Sequence, residues 1–366
     1  MRSIHFADME IHETVNAGYE VAFHRLFARL AYIILCFRGY FSGIIEDTLA
    51  ITIFLNLIIV CAIDYRHVRK AFFIFAALSL LTVYNKDVLA LIDILALIYV
   101  LRGTPLSYLT KVNAVVLTIY TYIWLFLLQT RVLRDELMVM PKGVAHCMGY
   151  ENPNQFGMLG FYIIASLFLI LPRKWKILVF LVIPLINEAF FHLSVARTPW
   201  LGGYVIMIVI LLSSLRLLRP FLRYFIGILP IFIFGALIYF AKQLPQYPEL
   251  DIIFTTRFSN YANLLNSMSP LNWIIGTHQI KGIIVDSSYF MILCSGGIMC
   301  IILFFGAFYK AIVKRWNYLS PYLPFLIATL AIGVGENAFS SANALSFIFW
   351  YLVFEYGKRQ KTISDS

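Results

Sequence analysis

SSYFMILCSGGIMCIILFFGAFY, residues 287–309, runs for 23 residues without a charged side chain, between Asp286 and Lys310. A helix needs about 20 apolar residues to cross the hydrocarbon core of a bilayer, so this stretch is long enough to span one. Similar runs between charges fall near 22–43, 48–63, 70–84, 87–101, 112–129, 156–172, 177–193, 200–216, 224–241, 320–335 and 344–357. Their apolar residues are continuous rather than alternating, the pattern of helices in lipid and not of barrel strands.

The composition agrees. Of 366 residues, 61% are hydrophobic and 13% charged, and the mean hydropathy is +0.82. Soluble domains lie nearer half apolar and a quarter charged. About twelve spans would occupy about 240 positions, which leaves room for one or two structured loops but not for a separate soluble domain. The expectation is an all-α polytopic membrane protein of about twelve transmembrane helices, a single integral membrane domain over residues 1–366. A soluble enzyme, a secreted disulfide scaffold and a disordered chain are excluded. The first twenty residues are polar and mixed in charge, so no cleavable signal peptide is expected and insertion falls to the first span. Of the five cysteines, only Cys147 stands in a polar loop, and neither CxxC nor a His/Cys metal spacing occurs. The net charge of +10 is divided into short clusters between spans. That is the pattern of membrane orientation, not of a nucleic-acid surface.

With both termini in the cytoplasm, twenty of the 29 basic residues fall on the inner side and nine on the outer. The inner excess sets the orientation. Two outer loops are long, 130–155 and 242–286, the second lying between the ninth and tenth spans. Within the second, Phe258, Tyr261, Leu264, Leu265 and Met268 recur at helical spacing and predict a short amphipathic helix. No matched pair of Gly/Pro-broken spans is present, which counts against a transporter built on inverted repeats.

Two outer arginines run against the orientation bias: Arg197 in SVARTPWLGGY and Arg257 in FTTRFSN. Arginine keeps its charge at any pH and grips phosphate through a two-pronged fork. They could simply pair with Glu249, Asp251 or lipid headgroups, or they could form a cationic pocket for a phosphate-bearing lipid. Two groups could act as a base, His278 in GTHQIKG and Asp286 in VDSSYF. The bland alternatives are an exposed loop histidine and a helix cap. In GYENPNQFG, Asn152 and Asn154 stand at the mouth of the sixth span, with Asn154 a plausible cap and both amides able to hold sugar hydroxyls. Asp93 lies mid-span, and Glu188 and His192 form an i, i+4 pair within a span; such groups are functional suspects or buried structural partners. Glu336 and Asn337, in GVGENAFSSANALS, sit at an outer boundary and could line the same cleft. There is no P-loop, HExxH or DxD pattern.

Taken in order, GYENPNQFG, ARTPWLGGY, TTRFSNYANLL, SPLNWIIGTHQ and VDSSYFMILCSGGIM give residues 145–310 a pattern that resembles the Wzy-type bacterial polysaccharide polymerases, relatives of the O-antigen ligases. The resemblance implies a GT-C-like fold in the bacterial plasma membrane, working without cofactor or metal on the outer face. A growing glycan would pass from its undecaprenyl diphosphate carrier to the terminal sugar of a new lipid-linked repeat unit. Donor and acceptor glycan lipids and the bilayer are the implied partners, accompanied by a flippase and a chain-length regulator; nucleic acid is not. Arg197 and Arg257 would neutralise the diphosphate leaving group. Asp286 or His278 would take the acceptor proton, and Asn152, Asn154, Tyr289 and Glu336 would hold sugar. The related ligases use a histidine of the large loop to which His278 does not align, so the base stays open between the two. The rivals are a lipid-linked oligosaccharide flippase, an O-antigen ligase and a solute transporter.

Overall fold

A computed structural model describes residues 2–42, 49–63, 88–140, 143–172, 175–213, 219–277 and 285–356. The run near 70–84 and His278 lie outside the described residues. Each of the other apolar runs is mainly helical over its described residues. The first run belongs to α1 (Arg2–Phe41), which also takes up the polar amino-terminal residues read above as preceding the first span. The next are α2 (Leu49–Ala62), α3 (Val88–Val100) and α4 (Leu106–Gln129). Beyond a hairpin come α5 (Pro153–Ile170), α6 (Lys176–Ser194), α7 (Arg197–Ser213) and α8 (Arg219–Gln243). Three shorter helices follow, α9 (Pro248–Ile253), α10 (Arg257–Ser267) and α11 (Pro270–Ile275). The chain then runs through α12 (Ser288–Lys314), α13 (Leu323–Ile332) and α14 (Ala344–Tyr351).

Among the described residues, four helical stretches are long and apolar enough to cross a membrane: Leu106–Gln129, Pro153–Ile170, Phe221–Gln246 and Ser288–Lys314. Shorter apolar helices accompany them. On α4, Val115, Tyr122 and Phe126 are more than half exposed. A soluble helix would turn such residues inward; here they face outward, as lipid contact requires. The protein is a helical membrane protein.

The loop at 130–155 is not purely irregular. It carries an antiparallel hairpin of β1 (Leu137–Met140) and β2 (Gly143–His146), with Leu137 opposite His146 and Met140 opposite Gly143. Its base is tied to the bundle where the Trp124 indole donates to the Met148 carbonyl at 2.9 Å.

The 287–309 stretch forms α12, but not as one regular helix. Gly296 (φ −156°, ψ 23°) and Gly297 (φ 64°, ψ −157°) break it. The break frees the Cys294 carbonyl, which accepts the Thr277 amide at 2.8 Å. The end of α11 thus docks into the middle of α12. A Cβ on Gly276 would stand 2.2 Å from the Cys294 oxygen, and one on Gly297 would stand 2.3 Å from the Ile274 carbonyl. Irregular backbone at this depth persists because it is buried in protein, where its polar groups find partners.

At the start of α12, Ser287 and Ser288 clamp the connection between α13 and α14. The Ser287 and Ser288 hydroxyls donate to the Gly333 and Glu336 carbonyls at 3.0 and 2.9 Å. The Ser288 hydroxyl oxygen accepts the Ala338 and Phe339 amides. The Trp350 indole then holds the Phe339 carbonyl at 2.7 Å, inside an aromatic core with Phe304, Phe308 and Phe349. Residues 333–339 are therefore fixed against α12, and with them Glu336.

Candidate functional site

A cavity of about 580 Å³ opens among α1, α3, α4, the start of α5, the approach to α12, and residues 336–343. Asn152, Asn154, Asp286 and Glu336 all line it, together with Asn337 and Asp93.

The Asn-Pro-Asn segment is positioned by helix capping. Asn152 is the cap of α5, accepting the Asn154 amide on its side-chain oxygen at 2.8 Å, and Pro153 takes the first helical position. Proline suits that position because its missing N–H would be unpaired there in any case. The cap is therefore Asn152 and not Asn154, and both stand at the rim.

Arg257 is the hub of the opposite corner. It opens α10, whose first turn is capped from behind: the Asp251 carboxylate accepts the Phe258 and Ser259 amides and the Ser259 hydroxyl at 3.1, 3.3 and 2.5 Å. Asp251 is thereby engaged and is not the partner of Arg257. Phe258, Tyr261, Leu264 and Leu265 are buried and seat α10 on the bundle. The guanidinium of Arg257 then reaches Glu336 at 2.9 Å and Asp286 at 3.6 Å, with a long contact to the Thr198 hydroxyl at 3.4 Å. Gly335 makes room, since a Cβ there would stand 2.1 Å from Arg257 Nη1.

Asp286 does not cap α12. The capping position is Ser287, without a side-chain cap hydrogen bond, and the Asp286 carboxyl is turned to Arg257 instead. Burial pushes this carboxyl above the ordinary aspartate range, and Arg257 pulls it back only in part. Burial would lower the Arg257 guanidinium, but Glu336, Tyr261 and Asp286 more than compensate and hold it fully charged. The corner carries one cation and two carboxylates.

Tyrosines make the remaining wall. Tyr40, Tyr120, Tyr150 and Tyr162 all line the cavity. The Tyr40 and Tyr120 rings stack at 5.7 Å, and Tyr40 meets Tyr162 edge-on at 5.6 Å. The Tyr40 hydroxyl donates to Asn113 at 2.5 Å, and the hydroxyls of Tyr120 and Tyr150 bond each other. These rings share the cavity lining with the amides of Asn152, Asn154, Gln155, Asn337 and Asn343.

The other expected residues are placed elsewhere. Tyr289 is fully buried and donates its hydroxyl to the Leu330 carbonyl at 3.1 Å, so it is a packing residue of α12 and not a sugar contact. Arg197, the first residue of α7, is exposed and outside the cavity lining, although its neighbour Thr198 touches Arg257. Glu188 accepts the Trp200 indole and Tyr204 hydroxyl at 2.9 and 2.7 Å and sits 3.9 Å from His192, away from the cavity. Sequence reasoning assigned no role to Arg38, which lines the cavity beside Asp93. The available signal was an arginine, in CFRGYFSG, among the nine basic residues that the charge pattern assigns to the outer side. The tyrosine wall had none, because tyrosines are abundant in the membrane segments.

Among the described residues, no group of three or more His, Cys, Asp or Glu side chains is gathered as a metal site. Compared with known proteins, the chain matches no family model, no curated protein and no solved structure.

Proposed function

We propose that this chain is a glycosyltransferase of the bacterial plasma membrane that polymerises glycan repeat units carried on undecaprenyl diphosphate. In this reading it has about twelve spans, cytoplasmic termini, a GT-C-like bundle, and its chemistry on the outer face. One observation carries the reading: a half-buried carboxyl, Asp286, faces a cavity walled by tyrosine rings and amide side chains and is backed by the Arg257–Glu336 pair. Flat aromatic faces and neutral amides suit hydroxyl-rich sugar rings, and a carboxyl above its usual range suits a general base.

The step balances with groups on the page. The acceptor sugar hydroxyl gives its proton to Asp286, and its oxygen forms a bond to the anomeric carbon of the donor. The bond from that carbon to the diphosphate oxygen breaks, and its electron pair leaves with the lipid diphosphate. Asp286 becomes neutral as it takes the proton. The corner of Arg257, Glu336 and Asp286 then passes from a net charge of −1 to 0. Arg257 consequently opposes the leaving anion less strongly screened than before, at the moment that charge develops. The diphosphate-clamp role first given to Arg197 and Arg257 is thus narrowed. Arg257 acts through its carboxylates, and Arg197 lies on the surface.

Asp286 is taken as the base in this proposal because it lies in the cavity; His278 lies outside the described residues. A second reading, a lipid-linked oligosaccharide flippase, is favoured by Arg38 and Asp93, charged residues of α1 and α3 that reach the same cavity. The test is the glycan profile of a deletion strain complemented with wild type or Asp286→Asn. The proposal expects single lipid-linked repeats and no long polymer for the deletion and the variant. Polymer that forms but is not attached to its final anchor would make the protein a ligase. Repeats trapped on the inner leaflet would make it a flippase.

A further inference from the structure

The cavity has two charged corners, and they differ in kind. At one, Arg257 is enclosed by two carboxylates and does not itself line the cavity. At the other, Arg38 lines it directly. Its Nε donates to the Thr52 hydroxyl at 2.9 Å and its Nη1 to the Ala342 carbonyl at 3.1 Å. These neutral acceptors come from α2 and from the connection before α14, so the guanidinium plane is gripped from two sides. A guanidinium has five N–H donors in a fixed fork, and this grip leaves its charge and part of the fork for something else. Among the described residues, Asp93, almost fully buried and also lining the cavity, is a carboxylate whose charge acts on it. A fixed arginine at a cavity within a membrane span is costly to maintain without a function.

We propose that Arg38 binds the phosphate of the cavity's ligand, so that the ligand enters in one orientation, with phosphate at Arg38 and sugar hydroxyl at Asp286. This rests on the reading that the cavity takes a phosphate-bearing glycan lipid. It adds which arginine reads the phosphate, a role the sequence had assigned to Arg197 and Arg257, neither of which lines the cavity. Asp93 competes with the phosphate for Arg38. Neutralising Asp93 therefore tightens phosphate binding, an effect that a purely structural Arg38 would not produce.

The test uses the full chain purified in detergent and titrated with farnesyl diphosphate, with farnesol and with inorganic pyrophosphate, read by intrinsic tryptophan fluorescence. Wild type is expected to bind farnesyl diphosphate and not farnesol. Arg38→Gln weakens it roughly ten- to a hundredfold, the worth of a charged hydrogen-bonding pair. Arg38→Lys, which keeps the charge but not the fork and so guards against a folding defect, also weakens it. Asp93→Asn tightens binding, and Arg197→Gln leaves it unchanged. Displacement by pyrophosphate assigns the site to phosphate from any source; its failure to displace assigns the site to lipid-linked phosphate alone. The inference falls if monodisperse Arg38 variants bind like wild type, or if Arg257→Gln is the variant that loses binding. The glycan profile is read separately: phosphate binding that follows Arg38 in a strain with normal polymer would leave this inference standing and overturn the polymerase.

Discussion

The two arginine corners of the cavity are built in opposite ways. Arg257 stands at the start of a short helix between spans, and everything around it serves to hold it: Asp251 caps its helix, Gly335 clears its path, and Glu336 and Asp286 close on it. Arg38 stands in a long helix, braced by a hydroxyl and a carbonyl, with one carboxylate nearby. A saturated arginine is an electrostatic support whose loss strands its partners. An arginine braced by neutral groups keeps charge for a ligand. The difference teaches that an arginine at a membrane site cannot be assigned to substrate from its residue type, only from what already surrounds it.

Removing Arg257 should have the largest effect. Arg257→Ala leaves Glu336 and Asp286 without their cation, and breaking a buried pair from one side costs about 3–5 kcal/mol. Thermal unfolding in detergent should show a marked loss, together with loss of polymer. Arg38→Ala should lower stability less, since among the described residues its hydrogen bonds go to neutral acceptors rather than to a carboxylate pair. Equal losses for the two variants would erase the contrast between the corners.

Asp286→Asn should separate chemistry from support. Polymer formation is expected to fall on the order of 10²–10⁴-fold, the contribution of a positioned base. The fold should be intact, because Arg257 keeps Glu336. The sign of the pH effect follows from the raised Asp286 value. The ionised form is the base, so the rate should rise with pH through a value above that of ordinary aspartate. Stability runs the other way. The folded state holds this proton more tightly than the unfolded chain, so ionising Asp286 diminishes stability as pH climbs through that window. Asp286→Asn should abolish both dependences. An acid limb at or below the ordinary aspartate value would remove Asp286 as the base.

Gly335→Ala is a milder version of the Arg257 lesion. The Gly335 backbone is not in the left-handed region, so the methyl acts by crowding, chiefly of the guanidinium and also of the Thr198 hydroxyl, at about 1–3 kcal/mol. Glycan output should fall between wild type and Arg257→Ala; an output equal to wild type would show that the guanidinium can shift without consequence. The smallest effect is expected for Asn152→Ala. Loss of the α5 cap should cost about 1 kcal/mol and shorten the polymer without abolishing it. A loss as large as that of Asp286→Asn would make Asn152 more than a rim residue.

The bundle was legible because its signal is local. Uncharged runs such as 287–309 read as helices whatever they pack against, and the buried faces of α10 follow from spacing alone. Parts of the site were legible too: the Asn-Pro turn, Asp286 and Glu336 stand where polar residues interrupt apolar sequence, and the cavity joins them. The misplacements are matters of packing. Tyr289 lies within the same quoted motif as the lining residues Asp286 and Met291, and direction around the helix keeps it out of the cavity; the motif of Arg197 supplies no lining residue at all. Arg38 was passed over because 248 positions separate it from Asp286 along the chain.

By itself, the sequence determined that this chain lives in a bilayer as helices and which polar residues interrupt them, because hydrophobicity and charge act residue by residue along the chain. Only the tertiary structure decided that Arg257 is enclosed while Arg38 faces the cavity, that Gly296 and Gly297 break α12 to receive α11, and that four tyrosines share one wall. Those outcomes depend on which distant surfaces meet, and such contacts are set by packing between helices rather than by any one segment's own preference.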